Sequence, residues 1–133
     1  MTILSQAETI RDEVLPRANT ATRVGTCLVD IANSLGNVAI KTISATTYTV
    51  LESDSAYVLR FTNAGAVILT INTGIAVAGF NFIVLQAAAG QVAFNGTAAL
   101  NNYDGHTQTA GQYATVGFIC DTTGAFVFSG KTA

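Results

Sequence analysis

The chain has 133 residues, a formal net charge of −2 and a pI near 5.0; half of its residues are hydrophobic and 11% are charged. This length is one domain, or one small domain with an arm, and can bury about two-thirds of its unfolded surface without staples. The six Lys and Arg never form a run, which argues against a nucleic-acid partner, and neither a secretory signal nor an apolar stretch long enough to cross a membrane is read in the sequence.

Charge divides the chain near residue 45. Eight of the 14 charged residues precede Thr46, and only Glu52, Asp54, Arg60, Asp104, Asp121 and Lys131 follow it. The division predicts a helical anchoring and oligomerisation arm over 1–45 and an antiparallel β domain over 46–133. In the arm, Ser5 and Glu8 have the spacing of a capping box, and Pro16 breaks the helix that they start. Asn19 is the candidate N-cap of a second helix over 20–35, and Gly36-Asn37 is its stop. Val24, Leu28, Ile31 and Leu35 are spaced four, three, four, as in a helix–helix seam between chains. The same stripe also fits one helix packing on its own domain. Cys27 and Cys120 are read as reduced small hydrophobes, with a disulfide as the alternative.

From Thr46 the period becomes two. Tyr48 and Val50 alternate with Thr47 and Thr49, and Tyr57, Leu59 and Phe61 alternate with Val58, Arg60 and Thr62. Asp54 reads as part of a turn between them. Asn63-Ala64-Gly65 reads as a turn into Val67, Leu69 and Ile71, so residues 57–71 are expected to form a hairpin. Further strands are expected over 80–86, 91–95, 112–120 and 125–129. Turn signals recur every 8–12 residues, which predicts a small antiparallel β-sandwich or barrel preceded by the two helices. The strands at Val67–Ile71 and Phe82–Leu85 are apolar on both faces, so either two layers pack there or a neighbouring chain covers one side.

The sequence holds no recognisable catalytic constellation. It has one His and two distant Cys, no G-x-S-x-G and no phosphate-binding loop, so no enzyme, cofactor or metal site is expected. The polar segment Asn101, Asn102, Tyr103, Asp104, His106, Gln108 is the candidate surface contact. Its amides can hydrogen-bond sugar hydroxyls and its ring can stack on a pyranose. An ordinary long β connection has the same composition.

Ile10-Arg11-Asp12-Glu13, Ala18 to Gly25 and Leu28 to Ile31 resemble a module of tailed-phage fibre and related virion proteins, especially those of phages infecting Bacteroidetes. Arg60 to Val67, Gln86 to Phe94 and Gly111 to Thr115 resemble a small β module near the ends of phage fibres. The resemblance implies a short homotrimeric fibre, spike or capsid decoration protein, located in the virion. It implies docking on other virion proteins through the arm, with an outer surface that either contacts the host, a surface glycan being the candidate partner, or only decorates the capsid. It supplies no catalytic residues. Long fibres carry shaft repeats, and no internal repeat is read in this sequence. The alternative is a monomeric carbohydrate- or ligand-binding β module, which the absence of Trp disfavours.

Overall fold

The computed structural model describes residues 37–133. The chain divides into two units between Val38 and Ala39, and the second unit is the β domain. The expected arm helices and the seam Val24, Leu28, Ile31 and Leu35 lie outside the described residues, as does Cys27.

Among the described residues nine strands follow one another: β1 (Ile40–Ile43), β2 (Thr47–Thr49), β3 (Tyr57–Phe61), β4 (Val67–Thr70), β5 (Asn81–Gln86), β6 (Val92–Asn95), β7 (Ala99–Asn101), β8 (Thr115–Thr122) and β9 (Ala125–Gly130). From β1 to β6 they alternate between two sheets. The larger sheet has the order β1-β3-β5-β8-β9-β7 and the smaller the order β2-β4-β6. The pairs β1–β3, β3–β5, β2–β4 and β4–β6 are all parallel. The chain therefore winds as three stacked coils, each adding one strand to each sheet. After β7, an antiparallel hairpin of β8 and β9 continues the larger sheet from β5, and β7 joins its far edge in parallel with β9.

This architecture corrects the expectation of an antiparallel sandwich or barrel preceded by helices. The domain is mainly β and solenoid-like, and no helix among the described residues reaches seven residues. Its only helical segments are the 3-10 turns Glu52–Asp54 and Thr73–Ile75. The hairpin expected over 57–71 does not form, because β3 and β4 belong to different sheets. The reason is pairing between coils. Thr62 N–H donates to Ile43 O and Gly90 N–H to Asn63 O, so the chain beyond β3 stacks on neighbouring coils instead of folding back on β3.

Alternation then decides what each strand buries. Leu59, Phe61, Phe82 and Val84 point from the larger sheet into the space between the layers; Val67, Leu69, Ile71 and Val92 meet them from the smaller. The two layers cover one apolar face of each strand, as one of the two sequence alternatives required. Their opposite faces keep Ile68 and Ile83 exposed. In the hairpin region the register places Phe82, Phe118 and Phe128 in one row across β5, β8 and β9. Their rings stack at 4.7 and 4.8 Å between centroids, and Phe94 meets Phe118 and Phe128 edge-on from the other sheet. Such pairs add to the burial of aromatic area itself.

Two glycines set how closely the coils approach. A Cβ on Gly90 would lie 1.8 Å from the carbonyl oxygen of Gly65, its counterpart one coil earlier. Gly96, at φ 132°, would collide in the same way with the Ile71 carbonyl. At the next corner the side chains continue the stacking. Thr70 Oγ1 donates to Asn95 Oδ1 at 3.0 Å, and Thr73 N–H to Thr97 Oγ1 at 3.0 Å.

Candidate surface-contact site

The strands end in connections whose side chains divide into those that hold the turn and those left free. Asn101 Nδ2 donates to Phe126 O and Asn102 Nδ2 to Phe128 O, tying the 101–106 segment to β9. The Asn102 side-chain oxygen accepts from the backbone N–H of Asp104 and of His106, both at 3.0 Å. One amide thus closes the turn from inside, a role that Asn performs well. His106 Nδ1 lies 2.8 Å from Thr132 Oγ1, and Gln108 exchanges backbone hydrogen bonds with Ala133. Tyr103 is fully exposed, and Asp104 is exposed beside it. Of the six candidate residues, the structure gathers Asn102, Asp104 and His106 around one turn. It leaves the Tyr103 hydroxyl, the Asp104 carboxylate and the Gln108 side-chain amide with no hydrogen-bonding partner among the described residues.

A second exposed tyrosine was not singled out from the sequence. The strand expected from Gln112 begins only at Thr115, because Gly111 to Ala114 form a turn in which Tyr113 has φ 68°. Ala114 N–H donates to Gly111 O at 3.0 Å, and Tyr113 N–H to Gln86 O at 2.6 Å. The Gln86 side chain is buried and ties this corner together. It donates to Ala88 O and Ala89 O, and accepts from Thr109 Oγ1 at 2.6 Å. Thr109 Oγ1 in turn accepts from Val92 N–H. The ring of Tyr113 stays largely in solvent. An open hollow of about 320 Å³ lies beside it, lined by Ala110, Gly111, Gln112, Tyr113, Ala114 and Lys131. Gly111 signals a turn in the sequence, but nothing marks Tyr113 as part of it, because left-handed backbone is read from Gly, Asn or Asp and not from Tyr.

At the other end of the domain, Asp54 is almost wholly buried, not a simple turn residue. It accepts from Tyr48 Oη at 2.6 Å, from Leu51 N–H at 2.9 Å and from Lys41 Nζ at 3.2 Å. The Lys41 ammonium also lies 5.1 Å from the Tyr48 ring centroid. Hydrogen bonding to Tyr48 and Asp54 raises the lysine above its ordinary 10.5. Burial, with the neighbouring carboxylate, raises the tyrosine above 10.0. The carboxylate has its donors inside the cluster, so these residues close the first coil.

Cys120 is a free, buried thiol whose sulfur donates to Thr122 O at 3.1 Å. Among the described residues, no group of three or more His, Cys, Asp and Glu could hold a metal ion, and no helix is long and apolar enough to cross a membrane. Neither a protein-family model, a curated protein nor a solved structure matches the chain.

Proposed function

We propose that the chain is a non-enzymatic structural protein of a bacteriophage virion: a short trimeric fibre, spike or capsid decoration protein whose exposed loops contact a host surface. The observation that carries this reading is the outer face of the larger sheet. Ile40, Val58 and Ile83 share one register row, and Ile119 and Val127 share the next. Ile40, Ile83, Ile119 and Val127 are all exposed large hydrophobics. A row of exposed apolar side chains on one face of a sheet is a surface that another molecule covers.

A second copy of this chain is the occupant proposed. The face carries one cation and one anion on strands two apart. Arg60 aligns with Leu85 and Thr115, and Asp121 lies six residues further along β8. An apolar row with one charge of each sign beside it suits other copies of the chain better than a partner carrying a single sign of charge. The remaining exterior, built of Thr, Asn, Gln, Ser and Gly, suits an appendage better than a catalyst. The number three and the virion setting come from the resemblance to fibre proteins.

Mass in solution tests the reading. The native protein is expected at the mass of three chains. Replacing Ile83 and Ile119 together by Asp is expected to lower that mass to one chain while the β circular-dichroism signal persists. A single-chain mass for the unaltered protein would overturn the proposal and favour the monomeric binding module.

A further inference from the structure

The geometry points to the Gly111–Ala114 turn as a saccharide-binding site, with Tyr113 as the stacking platform and Lys131 as the partner of a carboxylate on the sugar. The inference deepens the surface-contact part of the proposed function and moves it away from the 101–108 segment.

Four observations converge on this turn. The first is an exposed aromatic held where its backbone is strained. Tyr113 has φ 68° and its ring is 75% exposed. A bulky L-residue in the left-handed region costs stability, and Gly or Asn would remove that cost. The ring does not recover it by burial. Strain at an exposed side chain is the pattern of a residue kept for what it touches.

The second observation is rigidity. Tyr113 N–H and Ala114 O are both bonded to the backbone of Gln86, at 2.6 and 3.0 Å. Gln112 Nε2 donates to Ala87 O at 3.2 Å, and Ala110 N–H to Lys131 O at 2.9 Å. A turn fixed at both ends presents its ring without an ordering cost on binding.

The third is the shape of the hollow. Its volume of about 320 Å³ is at the low end for small-ligand sites, and it is open rather than a cleft. Its lining is short side chains, one amide, one phenol ring and one lysine. A lipid would need an enclosed apolar cavity, and a nucleic acid would need several cations. A pyranose needs a flat ring face for its C–H groups and amide or carbonyl partners for its hydroxyls.

The fourth is charge. Lys131 is exposed and is the sole charged residue of the lining. The site therefore favours a sugar with one negative charge over a neutral one. A single exposed ion pair contributes little, so the preference is about threefold in affinity.

The experiment follows the Tyr113 ring protons by NMR while sodium glucuronate or methyl glucoside is added to the full chain. Glucuronate is expected to perturb the ring at about threefold lower concentration than the glucoside. Tyr113→Phe keeps binding, and Tyr113→Asn weakens it about tenfold or more. Lys131→Gln makes the two sugars equivalent. The thermal midpoint of Tyr113→Asn does not fall, because Asn tolerates the left-handed backbone. A midpoint that falls would show that the ring packs structurally and would overturn the proposal. So would a ring that responds to neither sugar. Oligomer mass is untouched by these variants, so failure here is separable from failure of the assembly reading.

Discussion

The first coil and the antiparallel region beyond β7 close the same two-layered core by different means. At the first coil, β1 and β2 each have one paired neighbour among the described residues, and the core below them is shut by the Lys41–Tyr48–Asp54 cluster. At the opposite end, β8 and β9 lay a row of phenylalanines across the layer. The segment at Thr107–Thr109 covers the edge of β6 through Ala93 and bonds with the C-terminal residues. Hydrogen bonds to a charged group contribute about 1.5–3 kcal/mol each at best, whereas a buried phenylalanine contributes about 3–5 kcal/mol on deletion. The comparison teaches that the aromatic end anchors the fold and the polar end is where it opens.

Between the two ends, the coils depend on backbone contact, which gives the largest expected effect. Gly90→Ala places a methyl group against the Gly65 carbonyl, with backbone on both sides and no flexible side chain to yield. A loss of about 4 kcal/mol or more is expected in urea denaturation, or no cooperative transition at all. A loss under about 1 kcal/mol would mean that the coils are spaced more loosely than described.

Next comes the aromatic end. Phe118→Ala removes the middle ring of the stack between Phe82 and Phe128 and is expected to cost about 3–5 kcal/mol. Hydrogen exchange is expected to accelerate throughout β5, β8 and β9 together.

Asp54→Asn is expected to cost less, about 1–3 kcal/mol, with faster exchange confined to β1 and β2. Alkaline pH probes the same cluster. Lys41 and Tyr48 both bind their protons more tightly when folded. Their contribution is therefore complete below their ordinary values of 10.5 and 10.0, and is lost as pH rises through the raised folded values. Stability should stay flat up to about pH 10 from these groups and then fall, with the first coil exchanging before the aromatic end. Tyr48→Phe should remove the tyrosine part of that decline.

The smallest effect belongs to Tyr103. Its ring is fully exposed, so Tyr103→Ala should change stability by no more than about 0.5 kcal/mol. If the 101–108 segment contacts the host, adsorption to host cells falls in that variant while Tyr113→Asn leaves it intact. The reverse result assigns contact to the other turn.

Period-two alternation located many of the strands, because burial on one face is written in every second residue. Leu59 and Phe61, or Val67, Leu69 and Ile71, are buried as that pattern requires. It does not name the partner. Tyr57 pairs with Phe82 and Val67 with Val92, a constant offset of 25 residues that stacks Ala64-Gly65 under Ala89-Gly90. The preceding coil breaks the period, since Ile40 pairs with Val58 at an offset of 18 and Thr47 with Ile68 at 21. Unequal corners hid the repeat, and a three-residue turn at Asn63–Gly65 then read as a hairpin.

Local chemistry determined what this chain could specify alone: which residues face inward, where glycine must turn the backbone, and how little charge the β surface carries. Tertiary structure decided everything that depends on residues meeting across the coils. Asp54 acquires Lys41 and Tyr48 only when the first coil closes. Gln86 and Thr109 become one buried lock across 23 residues. Tyr113 takes left-handed backbone in a turn held to Gln86 on both sides, by its own N–H and by Ala114 O. Pairing between distant segments is set by shape and hydrogen-bond satisfaction over the whole core, and those terms have no signature within a window of sequence.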